Sequence, residues 1–270
     1  VFGGTSTSGR QNDVHVLDLN TRTWTQPSMT GTPPTARDGH SAIVFNEKMA
    51  VFAGYTGSGR QNDVHVLDLN TMTWTQPSIS GTPPPAQYAQ SAIVFNGKMV
   101  VFGGTSTSGR QNDIYVLDLN TMTWTQPSIS GTLPTARYSH SAIVFNEKMI
   151  VFGGYTGSYQ NDVYELDLNT WTWTQRSISG TAPTGRSGHS AIESNGKMVV
   201  FGGYTGSYQN DVYVLDLNTW TWTQPSIAGT APTTRRYHSA TVSNGKMVTF
   251  GGYTGSYQND VHVLDCFCGF

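Results

Sequence analysis

Cysteine is almost missing from this chain, with two in 270 residues, at Cys266 and Cys268. That excludes a disulfide framework. Two cysteines two positions apart make no metal site without partner ligands, and they bridge each other only under strain. Charge is scarce too: 12% of residues are Asp, Glu, Lys or Arg, about half the usual share of roughly 25%. The net charge of −2 offers no basic field for nucleic acid. No apolar run approaches the roughly 20 residues that a membrane-crossing helix needs. The partners expected therefore exclude nucleic acid and membrane insertion. Asn-x-Ser/Thr is absent as well, so nothing argues for secretion and no compartment is assigned.

What the chain has in abundance is repetition, the feature to settle before any local reading. Val-Phe-Gly-Gly at Val1 has equivalents starting at Val51, Val101, Val151, Val200 and Thr249. The period is thus 49 to 50 residues. Five copies are full and a sixth is partial. Within the copy around Ser141, four short extended segments can be read: 141–146, 148–153, 162–168 and 171–175. Val, Ile, Phe, Tyr, Trp and Thr dominate them, as pleated strands require. Asn-Gly at Asn96, Asn195 and Asn244 is the strongest short hairpin signal. The first three segments are nearly continuous apolar runs, such as Met198-Val199-Val200-Phe201, which implies sheets covered on both faces. A four-stranded unit that cannot bury its faces alone must stack on its neighbours, and radial stacking gives a β-propeller.

Several spaced motifs recur together: the Gly-Gly doublet, a following aromatic (Tyr115, Tyr164, Tyr213), a later Trp (Trp24, Trp74, Trp124, Trp173, Trp222), and Pro-x-x-Arg-x-x-His-Ser as in Pro183–Ser190. With them the chain resembles the kelch-repeat β-propellers, over residues 1–265, which are expected to form one propeller domain. Residues 266–270 are an off-pattern tail. The resemblance implies an all-β fold of four-stranded antiparallel blades. Six blades are expected, the first lacking its first strand and the last its fourth. A parent with seven is the alternative.

Most polar residues recur in every copy, so they read as architecture. Asp13, Asp63, Asp113, Asp162, Asp211 and Asp260 precede the third strand, and Asp18, Asp68, Asp118, Asp167, Asp216 and Asp265 end it. Both sets are expected to bond nearby backbone, as turn aspartates do. The Gly-Gly doublets suggest positive φ. Ala53 replaces the first glycine of copy two, which places that demand on the second. Arg37, Arg137, Arg186 and Arg235 stand with His40, His140, His189 and His238. Four ringed histidines could in principle hold a metal. Copy two, however, carries Gln87 and Gln90 there, which favours hydrogen bonding between blades. No metal or cofactor is expected.

Catalysis usually needs an asymmetric constellation, and near-identical copies leave few unique residues. Glu165 and Glu193 stand where other copies have Val. Each must be exposed, paired or protonated, because a buried unpaired carboxylate is costly. A hydrolase or isomerase using these two is the minor reading. Kelch-fold copper radical oxidases, which the chain resembles in its blades, need a Tyr–Cys crosslink, and no cysteine precedes residue 266.

The copies differ chiefly in the loop between the second and third strands. In copies one to three it ends in Gly-Arg, at Arg10, Arg60 and Arg110. In copies four to six it reads Tyr-Thr-Gly-Ser-Tyr, with Tyr155 and Tyr159, Tyr204 and Tyr208, Tyr253 and Tyr257. Tyrosines give rigid contact area with a hydroxyl at small entropic cost. The expectation is a non-catalytic binding or scaffold module that takes a protein, peptide or glycan on these tyrosines. The resemblance implies that Arg37, Arg137, Arg186 and Arg235 also line that face. A self-associating structural repeat protein is the alternative.

Overall fold

A computed structural model describes residues 1–266. Residues 267–270, which include Cys268 and most of the off-pattern tail, lie outside the described residues. Among the described residues the regular structure is entirely β-strand. The chain divides into two compact units, Val1–Pro127 and Ser128–Phe270.

Among the described residues four sheets each pair four successive antiparallel strands in chain order. In the second unit the strands Ser141–Phe145, Lys148–Phe152, Val163–Asp167 and Thr172–Gln175 pair in succession. The turn between the first two puts Asn146 at φ 46° and Glu147 at φ 61°. Two successive left-handed residues define the tight hairpin that Asn-Gly favours, which explains why other copies carry glycine at the second position. The second strand is buried on both faces: Met149, Ile150, Val151 and Phe152 are all 0% exposed. The continuous apolar run is the direct cause.

Stacking of one copy on the next builds the core within each unit. In the first, Phe52, Val64, Met99, Leu117 and Trp124 form one buried cluster, with the rings of Phe52 and Trp124 5.1 Å apart. In the second, Phe152, Val163, Met198, Leu215 and Trp222 do the same, and Phe152 meets Trp222 at 5.1 Å.

A further strand, not anticipated from the sequence, follows the fourth. Thr30–Gly31 runs parallel to Thr73–Thr75 of the next copy, and Ser80–Gly81, Ser130–Gly131 and Ser179–Gly180 repeat the pairing. The chain therefore touches the outer edge of each new sheet before it supplies that sheet's first strand at the opposite edge.

The Gly-Gly doublet differs from expectation. Both residues are left-handed, not the second alone: Gly3 and Gly4 lie at φ 59° and 94°, Ala53 and Gly54 at 60° and 100°. Space is what singles out the second. A Cβ on Gly54 would meet Asp38 O at 2.8 Å and His40 Cβ at 2.9 Å. Alanine at the first position is admitted, with left-handed strain of about 1–2 kcal/mol.

Candidate ligand-binding face

The recurring polar residues lock copies together. Arg37 is 0% exposed. Its Nη1 and Nη2 donate to Asp63 Oδ1 and Oδ2 at 2.6 and 2.8 Å, and Nη1 also donates to Ala53 O at 2.8 Å. Arg137–Asp162, Arg186–Asp211 and Arg235–Asp260 repeat this fork. Bidentate guanidinium–carboxylate pairs are strong and geometrically demanding. Burial pushes the Asp63 carboxyl up, but the bonds and charge of Arg37 and His65 outweigh it and hold it well below the usual carboxylate range. Two expectations are corrected here. These aspartates serve the preceding copy's arginine rather than their own turn. The four arginines sit in the interior, engaged on both arms, so they shape the loops instead of lining a ligand face. The second aspartate set behaves as expected: Asp18 Oδ1 accepts from the N–H groups of Asn20 and Thr21.

The histidines also bridge copies. His189 Nε2 lies 2.9 Å from Ser141 Oγ, and His238 Nε2 lies 2.7 Å from Ser190 Oγ. Gln90 Nε2 takes the same part in copy two, donating to Ser41 Oγ and Phe52 O. Burial, helped by the neighbouring arginines, lowers His40 to about 4 and His140 and His238 to about 3. His189 is pushed well below its ordinary value by the same causes. These imidazoles are neutral struts. Among the described residues no group of three or more His, Cys, Asp or Glu is arranged to hold a metal.

Glu165 is buried and paired. Lys148 Nζ donates to it at 2.7 Å, and Arg176 donates from Nε at 3.0 Å and from Nη2 at 2.7 Å. Sequence reasoning missed this partner, although a signal existed. Arg176 stands where the other copies have Pro27, Pro77, Pro127 and Pro225, so copy four departs at both ends of one ion pair. Glu193 Oε1 accepts from Gly196 N at 2.8 Å and staples its own hairpin.

The six loop tyrosines are brought together. Thr205-Gly206-Ser207 closes a tight hairpin that pairs Tyr204 with Tyr208, and the same hairpin pairs Tyr253 with Tyr257. Tyr155 and Tyr159 form the equivalent bridge. Rings within each pair stand edge to face at 5.2 Å. Successive pairs meet as well, Tyr159–Tyr204 at 5.7 Å and Tyr208–Tyr253 at 6.0 Å. Tyr138 extends the row to Tyr155 at 5.6 Å. The result is one ladder of seven rings.

Arg236, not singled out beforehand, lies over this ladder. Its guanidinium carbon is 4.9 Å from the Tyr204 ring centroid, 5.5 Å from Tyr208, 4.9 Å from Tyr237 and 6.0 Å from Tyr253. Cation–π attraction at these distances contributes about 0.5–2 kcal/mol. The position directly follows a buried arginine, and its equivalents are Asp38, Tyr88, Tyr138 and Ser187, a variable site in an otherwise repeated motif. In the first unit the rim carries arginines on a single pair of rings, Tyr55 and Tyr88, 5.8 Å apart: Arg10 lies over Tyr55 at 4.6 Å and Arg60 over Tyr88 at 5.3 Å, with Arg10 also paired to Asp38 at 2.9 Å.

Four-stranded sheets that repeat at a fixed period and stack through a tryptophan define a β-propeller protein. The chain belongs to the kelch-repeat family. The model of the KLHDC2/KLHL20/DRC7 Kelch-repeats domain matches residues 1–192 and 98–267. Among curated proteins it is similar to the Rab9 effector protein with kelch motifs of Bos taurus, 45% identical over 53 residues, which is 19% of this chain and 14% of that one. Kelch domain-containing protein 3 of Homo sapiens is 44% identical over 50 residues, 18% of this chain and 13% of that protein. Kelch domain-containing protein 1 of Mus musculus is 51% identical over 45 residues, 16% and 11%. Each match thus spans about one repeat and a small fraction of the relative's length.

Proposed function

We propose that this chain is a non-catalytic binding module that engages a protein or peptide partner on the tyrosine ladder of its second unit. The carrying observation is that the copies diverge where seven rings and Arg236 converge, on loops held rigidly by the buried Arg–Asp forks. Rigid aromatic area with hydroxyls and one cation suits a polypeptide surface. A relative named as a Rab9 effector fits a partner of that class. A glycan is the other ligand such a surface could take. The structural bonds of Glu165 and Glu193 support a role without catalysis.

The test is a screen against peptide and glycan arrays, beside a variant with Tyr204, Tyr208, Tyr253 and Tyr257 changed to Ser. The four changes are expected to weaken any hit at least about tenfold, that is by about 1.4 kcal/mol, while the thermal transition stays cooperative. A hit that survives them overturns the assignment of this face.

A further inference from the structure

Tyr204 and Tyr208 stand directly opposite each other in the register of one antiparallel hairpin. Their rings meet edge to face, 5.2 Å apart at 62°. The backbone beneath them has little freedom. Tyr204 exchanges both of its main-chain hydrogen bonds with Ser187 of the preceding copy, at 2.9 and 3.0 Å. At the tip, Thr205 N donates to Ser207 O at 3.1 Å. Gln209 Nε2 clamps the same turn, donating to Thr205 Oγ1, Ser207 O and Ser207 Oγ at 3.0, 3.1 and 2.9 Å. Both rings are half-buried, within reach of solvent yet held in one relation.

Copies one to three have no such pair, because Thr5, Tyr55 and Thr105 face Arg10, Arg60 and Arg110 across their hairpins. Tyr155–Tyr159 and Tyr253–Tyr257 repeat the contact. What sets Tyr204–Tyr208 apart is a cation over both rings, with the Arg236 guanidinium carbon 4.9 and 5.5 Å from their centroids. Arg236 Nε is buried and has no acceptor among the described residues.

We propose that Tyr204 and Tyr208 are an oxidative crosslinking site, at which a peroxide acting through a peroxidase joins the two rings as dityrosine. Each phenol loses one electron and its hydroxyl proton, which leaves a phenoxyl radical with spin on the carbons ortho to oxygen. One Cε of each ring then forms the new C–C bond. The hydrogen on each coupled carbon moves to its own ring oxygen and restores the two phenols. The peroxide accepts the two electrons and two protons and leaves as two waters. Holding both partners in contact makes the coupling an intramolecular step, where orientation raises effective concentration by orders of magnitude. Contacts to Tyr159 at 5.7 Å and Tyr253 at 6.0 Å let a radical formed on a neighbouring ring take a hydrogen atom from this pair. A biphenol ionises more readily than a single phenol, and a cation beside it favours the anion further. Arg236 is thus placed to stabilise the product. This chemistry is independent of any partner on the ladder.

The full chain is treated with hydrogen peroxide and a haem peroxidase, and the blue fluorescence of dityrosine is followed. Trypsin cuts after Lys197 and Arg235, so both tyrosines leave in the single peptide 198–235. That peptide is expected two hydrogens lighter, with fragmentation placing the bond between Tyr204 and Tyr208. Tyr208→Phe keeps the ring and removes the phenol, and is expected to abolish this product while the thermal transition stays unchanged. Arg236→Gln is expected to raise the pH at which the crosslinked product ionises, read by absorbance. Absence of the lighter peptide under conditions that couple free tyrosine overturns the proposal. So does coupling chiefly between molecules, seen as covalent dimers, or a product that persists in Tyr208→Phe. An ionisation unchanged in Arg236→Gln overturns the part given to that arginine.

Discussion

At the scale of single residues, departures from the repeat come in compensated pairs. Glu165 and Arg176 are one. Ala53 and Gln90 form another. A Cβ on Gly153 or Gly202, the first glycine of its doublet, would lie 3.0 or 3.1 Å from the Cε1 of His189 or His238. Copy two places Ala53 there, and Gln90 replaces the histidine. The methyl group and the imidazole compete for one space. Ala53→Gly is expected to stabilise by about 1 kcal/mol by removing left-handed strain. Gln90→His alone is expected to cost about 1–3 kcal/mol through overpacking, and the double variant to recover most of that loss. Chemical denaturation of the four proteins measures the coupling. Additive effects would show that the two sites do not share that space.

Elements were the most legible level. Apolar runs and Asn-Gly turns placed Ser141–Phe145, Lys148–Phe152, Val163–Asp167 and Thr172–Gln175 to within a residue or two, because period and turn chemistry act locally. The parallel segments escaped. Only two residues pair in each, and the partner strand lies some 43 residues onward, as in Thr30 with Thr73. Their signal was the glycine kept in every copy, at Gly31, Gly81, Gly131, Gly180 and Gly229. The candidate site divides in the same way. Tyrosines on a loop announce themselves, whereas burial of Arg37 depends on Asp63 in the next copy and leaves no local pattern. A Cβ on Gly81 would fall 2.0 Å from Trp124 O, a backbone atom held by its sheet. Gly81→Ala is therefore expected to cost about 3 kcal/mol or more. Gly229→Ala, with open space around it, is expected to cost only the left-handed strain of about 1–2 kcal/mol. Equal losses in denaturant midpoint would remove close approach as the reason for this glycine.

For the whole molecule the buried histidines set the response to acid. His40, His140, His189 and His238 are held neutral in the folded chain, with values lowered to about 3 or 4 where a value is resolved. Unfolded histidines titrate near about 6.5. Below that pH the unfolded chain takes up protons that the folded chain refuses, so stability falls with pH and levels off only near the folded values. Each histidine contributes about 1.4 kcal/mol per pH unit inside this window, and four together about 5.5. Asp63 and Asp260, also depressed, add a loss of the same sign further down, below the unfolded carboxylate value of about 3.9. Melts between pH 7.5 and 5 should show this slope, and replacing His189 and His238 with Gln, as copy two does naturally at Gln90, should halve it. A flat profile would mean that these imidazoles are free to charge in the fold.

The forks carry a consequence for the order in which the protein is made. Arg37 waits 26 residues for Asp63, while Arg137, Arg186 and Arg235 each wait 25 residues for theirs. The histidine struts reach back 48 residues, to a copy already in place. On a ribosome that delivers the chain from its amino end, each new copy arrives carrying the carboxylate that secures its predecessor. The protein can close behind itself as it emerges, one period at a time.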